Sequence, residues 1–160
     1  MMIFQDYQFV TKWKFQADAG RLYDLLSKPQ EYSRWITSFP IQVEPVASGN
    51  SEGIGHADRF TVKGYLPYSL CWELECIEAR RPYTFTSLAT GDLEGRGTWI
   101  FRQHLQETEV VFDWKIKLCK PFLRQVSFFL RPVFKWNHDW VMARWKEDLE
   151  RALFPGSTRV

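Results

Sequence analysis

Between Glu109 and Leu118 the chain reads "EVVFDWKIKL". Val110, Phe112, Trp114, Ile116 and Leu118 fall on one side, and Asp113, Lys115 and Lys117 fall on the other. Successive side chains of an extended strand point to opposite faces, so this segment is a strand with one dry and one wet face. An antiparallel sheet solvated on one side is the arrangement such a strand requires. Its dry face must be covered by another apolar element.

The same period recurs upstream. "YQFVTKWKF" sets Phe9, Trp13 and Phe15 against Gln8, Lys12 and Lys14. "IQVEPVAS" runs into the turn "GNSEG". "HADRFTVKGYL" places His56, Asp58, Phe60 and Val62 on one face and Arg59, Thr61 and Lys63 on the other. In "YSLCWELECIEA", Tyr68, Leu70, Trp72, Leu74 and Cys76 oppose Glu73 and Glu75. "RRP" turns the chain into "YTFTSLAT", "GDLEG" makes a hairpin into "RGTWIFRQHL", and "QET" leads into the strand described first.

The period changes in two places. In "ADAGRLYDLLS", Asp18 caps a helix whose Leu22, Leu25 and Leu26 share a face. "KPQEYSRWI" begins a second short helix with Pro29 at its first position and Tyr32, Trp35 and Ile36 on its apolar side. From Pro121 to Leu153 the pattern is again helical, and its first half has a broad apolar stripe of Phe122, Val126, Phe129, Leu130 and Val133. Pro132 removes a donor and crowds the carbonyl of Phe128, so the helix is expected to bend or begin there. Beyond it the stripe centres on Phe134, Val141, Trp145, Leu149 and Ala152. The tail "PGSTRV", residues 155–160, is expected to fray.

The expected architecture is α+β: a curved antiparallel sheet of six to seven strands wrapped around a long C-terminal helix, with two short helices after the first strand. Only the last helix is long enough to cover the sheet, and a curved sheet gripping one helix leaves a space between them. At 160 residues the chain reads as one domain, residues 1–154.

Composition narrows the function classes. A net charge of +2, with no block of like charges, argues against nucleic acid as partner. Aromatic residues make up 17% of the chain, which favours a dense core or a flat-walled pocket. Cys71, Cys76 and Cys119 cannot all pair, and the first two, five apart on one strand, point to opposite faces. They read as buried thiols in a reducing compartment. "MMIFQDYQF" lacks a basic region and a long apolar run, so no signal peptide is expected, and no window approaches a membrane span. The expected location is cytoplasmic.

"FQADAGRLYDLLSKPQEYSRW" resembles the opening signature of the START-like superfamily, the helix-grip or birch-pollen-allergen-like (SRPBCC) proteins. The resemblance extends through "PYTFTSLATGDLEGRGTWIF" and "TEVVFDWKI" to the C-terminal helix. The branch it is most similar to is the polyketide cyclase/dehydrase and lipid-transport group. The resemblance implies a helix-grip fold and a small hydrophobic ligand such as a lipid, quinone or polyketide. It implies no invariant catalytic set, and fold alone does not settle the site.

The residues carry several candidate chemistries. The histidines His56, His104 and His138 are scattered and no Cys-x-x-Cys occurs, so neither a metal nor any other cofactor is expected. "GDLEGRG" has the wrong glycine spacing for a phosphate loop and lies between strands. His56 and Asp58 share a face and form either an acid/base pair at a pocket rim or two polar groups meeting water near a strand end. The second reading is preferred, since polar residues cost least there. Trp72, Trp99, Phe101 and Trp114 are core or pocket wall, and the resemblance favours the wall. Gly95 and Gly97 are expected to leave room beside Trp99 and Phe101.

In "WNHDWVMARW", His138 falls on the inward stripe with Phe134, Val141 and Trp145, and Asn137 borders it. Asp139 is turned away and cannot orient His138. His138 and Asn137 are then polar points in an apolar wall or groups satisfied by strand carbonyls. Burial should strip His138 of its charge.

The leading expectation is binding of a small hydrophobic molecule by Trp72, Trp99, Phe101, Trp114, Asn137, His138 and Val141. The first alternative is a polyketide cyclase or dehydratase in which His138, or His56 with Asp58, moves protons. The second is a protein-interaction adaptor using the outer strand face.

Overall fold

The computed structural model describes residues 6–126 and 129–156. Seven strands form one antiparallel sheet: β1 (Asp6–Phe15), β2 (Ile41–Ser48), β3 (His56–Lys63), β4 (Ser69–Arg80), β5 (Thr84–Gly91), β6 (Leu93–His104) and β7 (Glu107–Leu118). Their spatial order is β1-β7-β6-β5-β4-β3-β2, so six strands run as a meander and β1 returns to pair with the last of them. The edges are therefore β1 and β2.

Between the edge strands in sequence lie α1 (Ala19–Leu26), a 3₁₀ turn (Pro29–Glu31) and α2 (Tyr32–Trp35). Asp18 caps α1 as its sequence position implied, accepting from the backbone N–H groups of Gly20 and Arg21. Pro29 opens the 3₁₀ turn, where its missing N–H costs nothing.

Two helices follow the sheet, α3 (Pro121–Val126) and α4 (Arg131–Leu153). Pro132 stands in the first turn of α4, so it marks the true start of the long helix rather than a kink within it. Phe128, whose carbonyl entered that expectation, lies outside the described residues. So do the first five residues and residues 157–160 of the expected frayed tail. No described helix is long and apolar enough to cross a membrane.

Two bulges bend the sheet. One lies in β4 between Cys76 and Glu78, the other in β2 between Pro45 and Ala47. A proline inside a strand is tolerated at an edge or a bulge, and Pro45 has both. The β4 bulge shifts the side-chain phase by one, so Ala79 turns inward and Glu78 outward.

The concave face packs on α4. Phe134, Met142, Leu149 and Leu153 are the buried apolar residues of that helix, against Trp13, Phe15, Trp99, Phe112 and Trp114 of the sheet. Trp145 meets Trp13, Tyr32 and Trp99 edge-on, with ring centroids 5.5 to 6.4 Å apart. A second, smaller group of Tyr32, Ile36, Phe39 and Phe60 closes the β2–β3 side.

Two expectations are corrected. Phe122, Phe129, Leu130 and Val133 do not form a buried stripe; they are exposed, because α3 breaks from α4 and only Leu123 of α3 turns inward. The three cysteines are unpaired but half-buried rather than buried.

Candidate functional site

A cavity of about 850 Å³ lies between the concave sheet face and α4. Trp72, Trp99, Phe112 and Trp114 wall the sheet side, and His138, Val141, Met142 and Trp145 wall the helix side. The cavity reaches the surface between Ser27–Gln30, the β2–β3 turn at Asn50–Gly53, and Arg80 with Arg81 at the end of β4. A second cavity of about 120 Å³ lies toward the start of α4 and shares Trp72, Trp114, His138 and Val141 with the first.

The wall is built by local sequence. Trp99 stacks flat on Phe112 across β6 and β7, with centroids 4.1 Å apart and planes 16° apart. Gly97 makes this possible in an unexpected way: a Cβ there would stand 2.7 Å from the Trp114 ring. The glycine therefore admits an indole of the neighbouring strand, and the space expected beside Trp99 is occupied by Trp114. Trp72 stacks with Phe60 at 5.7 Å, continuing the aromatic surface onto β3.

His138 stacks on Phe9 with centroids 4.2 Å apart. Its Nε2 is withdrawn from solvent and has no hydrogen-bond partner among the described residues. Burial pushes its pKa down to about 4, so the ring is neutral near pH 7. Asp139 points away as the helical step implied and pairs with Lys135 at 2.8 Å.

At the other end of the cavity stand His56 and Asp58. The preference for a solvated strand end is corrected here, because Asp58 is only 1% exposed. The β2–β3 hairpin covers one side of β3, and Tyr32 and Phe39 cover its inner face. His56 Nδ1 lies 3.2 Å from the Ser48 carbonyl oxygen, which can only accept, so Nδ1 carries a proton. Nε2 then faces Asp58 Oδ2 at 2.6 Å. Burial holds the Asp58 pKa above the usual carboxylate range, and His56 opposes that rise. Asp58 Oδ1 has no hydrogen-bond partner among the described residues.

Two of the sequence candidates lie elsewhere. Phe101 is packed between Tyr23 and Phe85, off the cavity. Asn137 borders only the smaller cavity, and its Oδ1 accepts from the backbone N–H of Tyr65 at 2.9 Å and of Leu66 at 3.4 Å. It fastens the β3–β4 loop to α4. Met142 and Phe112 join the site without having been expected there, although their spacing from His138 (four on a helix) and Trp114 (two on a strand) could have indicated both. Trp145, expected on the inward stripe, belongs to the wall as well. Its Nε1, like that of Trp72, has no hydrogen-bond partner among the described residues. Among the described residues no group of three or more His, Cys, Asp or Glu could hold a metal.

No protein-family model matches the chain, and no curated protein matches its sequence. Solved structures do match its shape. A protein from Thermus thermophilus superposes with a TM-score of 0.70 and 18% identity, over 91% of this chain and 99% of that one. Ginseng major latex-like protein 151 from Panax ginseng gives 0.67 and 11%, over 94% and 99%. The Zhui aromatase/cyclase from a Streptomyces species gives 0.66 and 14%, over 96% and 100%. The fold is the START-like helix-grip fold. At these identities the likeness concerns the fold and leaves the chemistry of the cavity to its own residues.

Proposed function

We propose that the chain binds a small hydrophobic molecule, of the aromatic polyketide, quinone or lipid class, between its sheet and α4. The observation that carries this reading is the makeup of the 850 Å³ cavity. Its walls are flat rings, and among them stand four buried polar atoms without hydrogen-bond partners among the described residues: Trp72 Nε1, Trp145 Nε1, Asp58 Oδ1 and His138 Nε2. A buried polar atom left unpaired costs about 1–3 kcal/mol. Apolar walls with a few convergent polar groups suit a flat molecule carrying oxygen functions. An aromatase/cyclase shares this shape, which supports an aromatic ligand.

The test is tryptophan-fluorescence titration with 1,4-naphthoquinone, together with native mass spectrometry of protein purified from its own host. Val141→Trp, which fills the helix side of the cavity, should weaken naphthoquinone binding at least about tenfold, the scale of losing a few contacts in an apolar site. Equal binding by the wild type and this variant would remove the cavity from the account.

A second reading is favoured by one observation, the 2.6 Å approach of His56 Nε2 to Asp58 Oδ2 at the cavity wall. Such a pair can take a proton from a carbon beside a ketone and deliver it to a departing hydroxide, releasing water. That is the dehydration step of a cyclase. His138, with its pKa near 4, is a poor base and suits a hydrogen-bonding role.

A further inference from the structure

Large apolar side chains face solvent at one end of the molecule: Tyr65 in the β3–β4 loop, Phe122 on α3, Phe129 and Leu130 just before α4, and Val133 and Trp136 in its first turns. Phe129 is 81% exposed, Phe122 70% and Tyr65 64%. Contacts tie the β3–β4 loop to both α3 and α4 at this end. Tyr65 packs edge-on against Trp136 with centroids 4.8 Å apart, and Asn137 holds the same loop to α4. Lys120 at the head of α3 donates to the Ser69 carbonyl at the end of that loop. Val133 and Trp136 are three apart on one helix and share a face.

Cations outnumber anions at this end, where Asp92, Glu94, Asp113 and Asp139 are the acids. From Lys63 to Trp72 and from Trp114 to His138 the chain carries Lys63, Lys115, Lys117, Lys120, Arg124, Arg131 and Lys135, and neither segment holds an Asp or Glu. Lys115, Lys117 and Lys135 meet Asp113, Glu94 and Asp139 from beyond those segments. The chain as a whole is nearly balanced, at +2. Cations are therefore concentrated around the exposed rings.

We propose that this end of the molecule docks on an anionic lipid surface. Phe122, Phe129, Leu130 and Trp136 would enter the boundary between head groups and acyl chains while the lysine and arginine stems reach back to the phosphates. Charge complementarity decides against a second copy of the chain. A two-fold interface would set the same cations against themselves, whereas an anionic leaflet attracts each of them. Leu130 and Val133, within the same patch, offer no ring for a base to stack on and suit acyl chains instead. Docking would also bring the bilayer beside the smaller cavity, whose wall is shared with the larger one.

Flotation of the full chain with vesicles tests this, using phosphatidylcholine alone or mixed with phosphatidylserine. The wild type should float with the mixed vesicles, remain behind with neutral ones, and be released by added salt. Lys120→Gln with Arg124→Gln, and separately Phe122→Gln with Trp136→Gln, should each lower partitioning on the order of tenfold or more, with melting temperature unchanged. Lys14→Gln with Arg102→Gln, on a different part of the surface, should leave it intact. Failure to float, or equal flotation on neutral vesicles, overturns the proposal. So does a dimer that the aromatic variant dissociates, or retention of single-stranded RNA in place of vesicles.

Discussion

Asp148 of α4 accepts a hydrogen bond from Ser38 Oγ at 2.7 Å, across the gap between the helix and the loop that follows α2. The carboxylate is completely buried and also accepts from the backbone N–H groups of Thr37 and Ser38 and from Arg151. This clasp ties the long helix to the β2 side of the cavity. Asp148→Ala leaves the backbone donors of Thr37 and Ser38 unpaired, so it should cost about 3 kcal/mol or more of folding stability. Ser38→Ala should cost about 1 kcal/mol. Urea unfolding of both variants checks the ranking; equal small losses would show that water substitutes for the carboxylate.

His138→Gln keeps a donor and an acceptor but cannot shuttle protons, so naphthoquinone binding should persist. The substitution should also remove a pH dependence. The native pKa of His138, about 4, lies below its unfolded value near 6.5. Its burial as a neutral ring is therefore fully tolerated above pH 6.5 and becomes a loss as pH falls from 6.5 toward 4. The loss is on the order of 3 kcal/mol at 1.36 kcal/mol per unit. Stability of the variant should fall less over that window, as measured by chemical unfolding at several pH values.

Asp58→Asn separates a working acid from a structural one. The native pKa of Asp58 is raised, so its contribution to stability is present below the unfolded value near 3.9 and declines as pH rises through the native value. At pH 7 the asparagine variant should therefore be at least as stable as the wild type. If the chain is a dehydratase, its turnover should drop on the order of a hundredfold, the weight of a positioned acid/base group. A variant that unfolds more readily at pH 7 would mark Asp58 as part of the scaffold.

Gly97→Val should push the Trp114 ring off the sheet, since even one added carbon meets it at 2.7 Å. Naphthoquinone affinity should fall with a changed near-UV spectrum, and stability should drop by about 1–3 kcal/mol, the usual cost of overpacking. An unchanged spectrum would show that Trp114 has room to move.

The parts legible in the sequence are those governed by local periodicity. The alternation of Phe112, Trp114 and Ile116, the cap at Asp18 and the helix start at Pro132 depend on neighbours in the chain, and each is where the pattern puts it. What escapes depends on distant segments. Asp58 looks like a solvated strand-end residue until β2, Tyr32 and Phe39 close over it. Asn137 borders the apolar stripe but answers to the backbone of Tyr65. The bulge after Cys76 changes which residues face inward without any proline or glycine to announce it. Asp148 does leave a trace: it falls three residues after Trp145 on the inward side of the helix, where an acid is out of place unless something binds it.

The pairing of β1 with β7 also orders events in time. Among the described residues, Asp6 to Phe15 find their strand neighbours at Thr108 to Lys117 alone, so during synthesis Trp13 and Phe15 wait with their aromatic faces uncovered until most of the chain has been made. Closing so long a loop is slow, and exposed rings are what chaperones hold and what aggregates form from. The β2-to-β7 meander can assemble earlier, each strand beside the one just finished. The larger cavity needs α4 as well as the meander, and α4 is the last described element to be made, so that space is enclosed only when the chain is nearly complete.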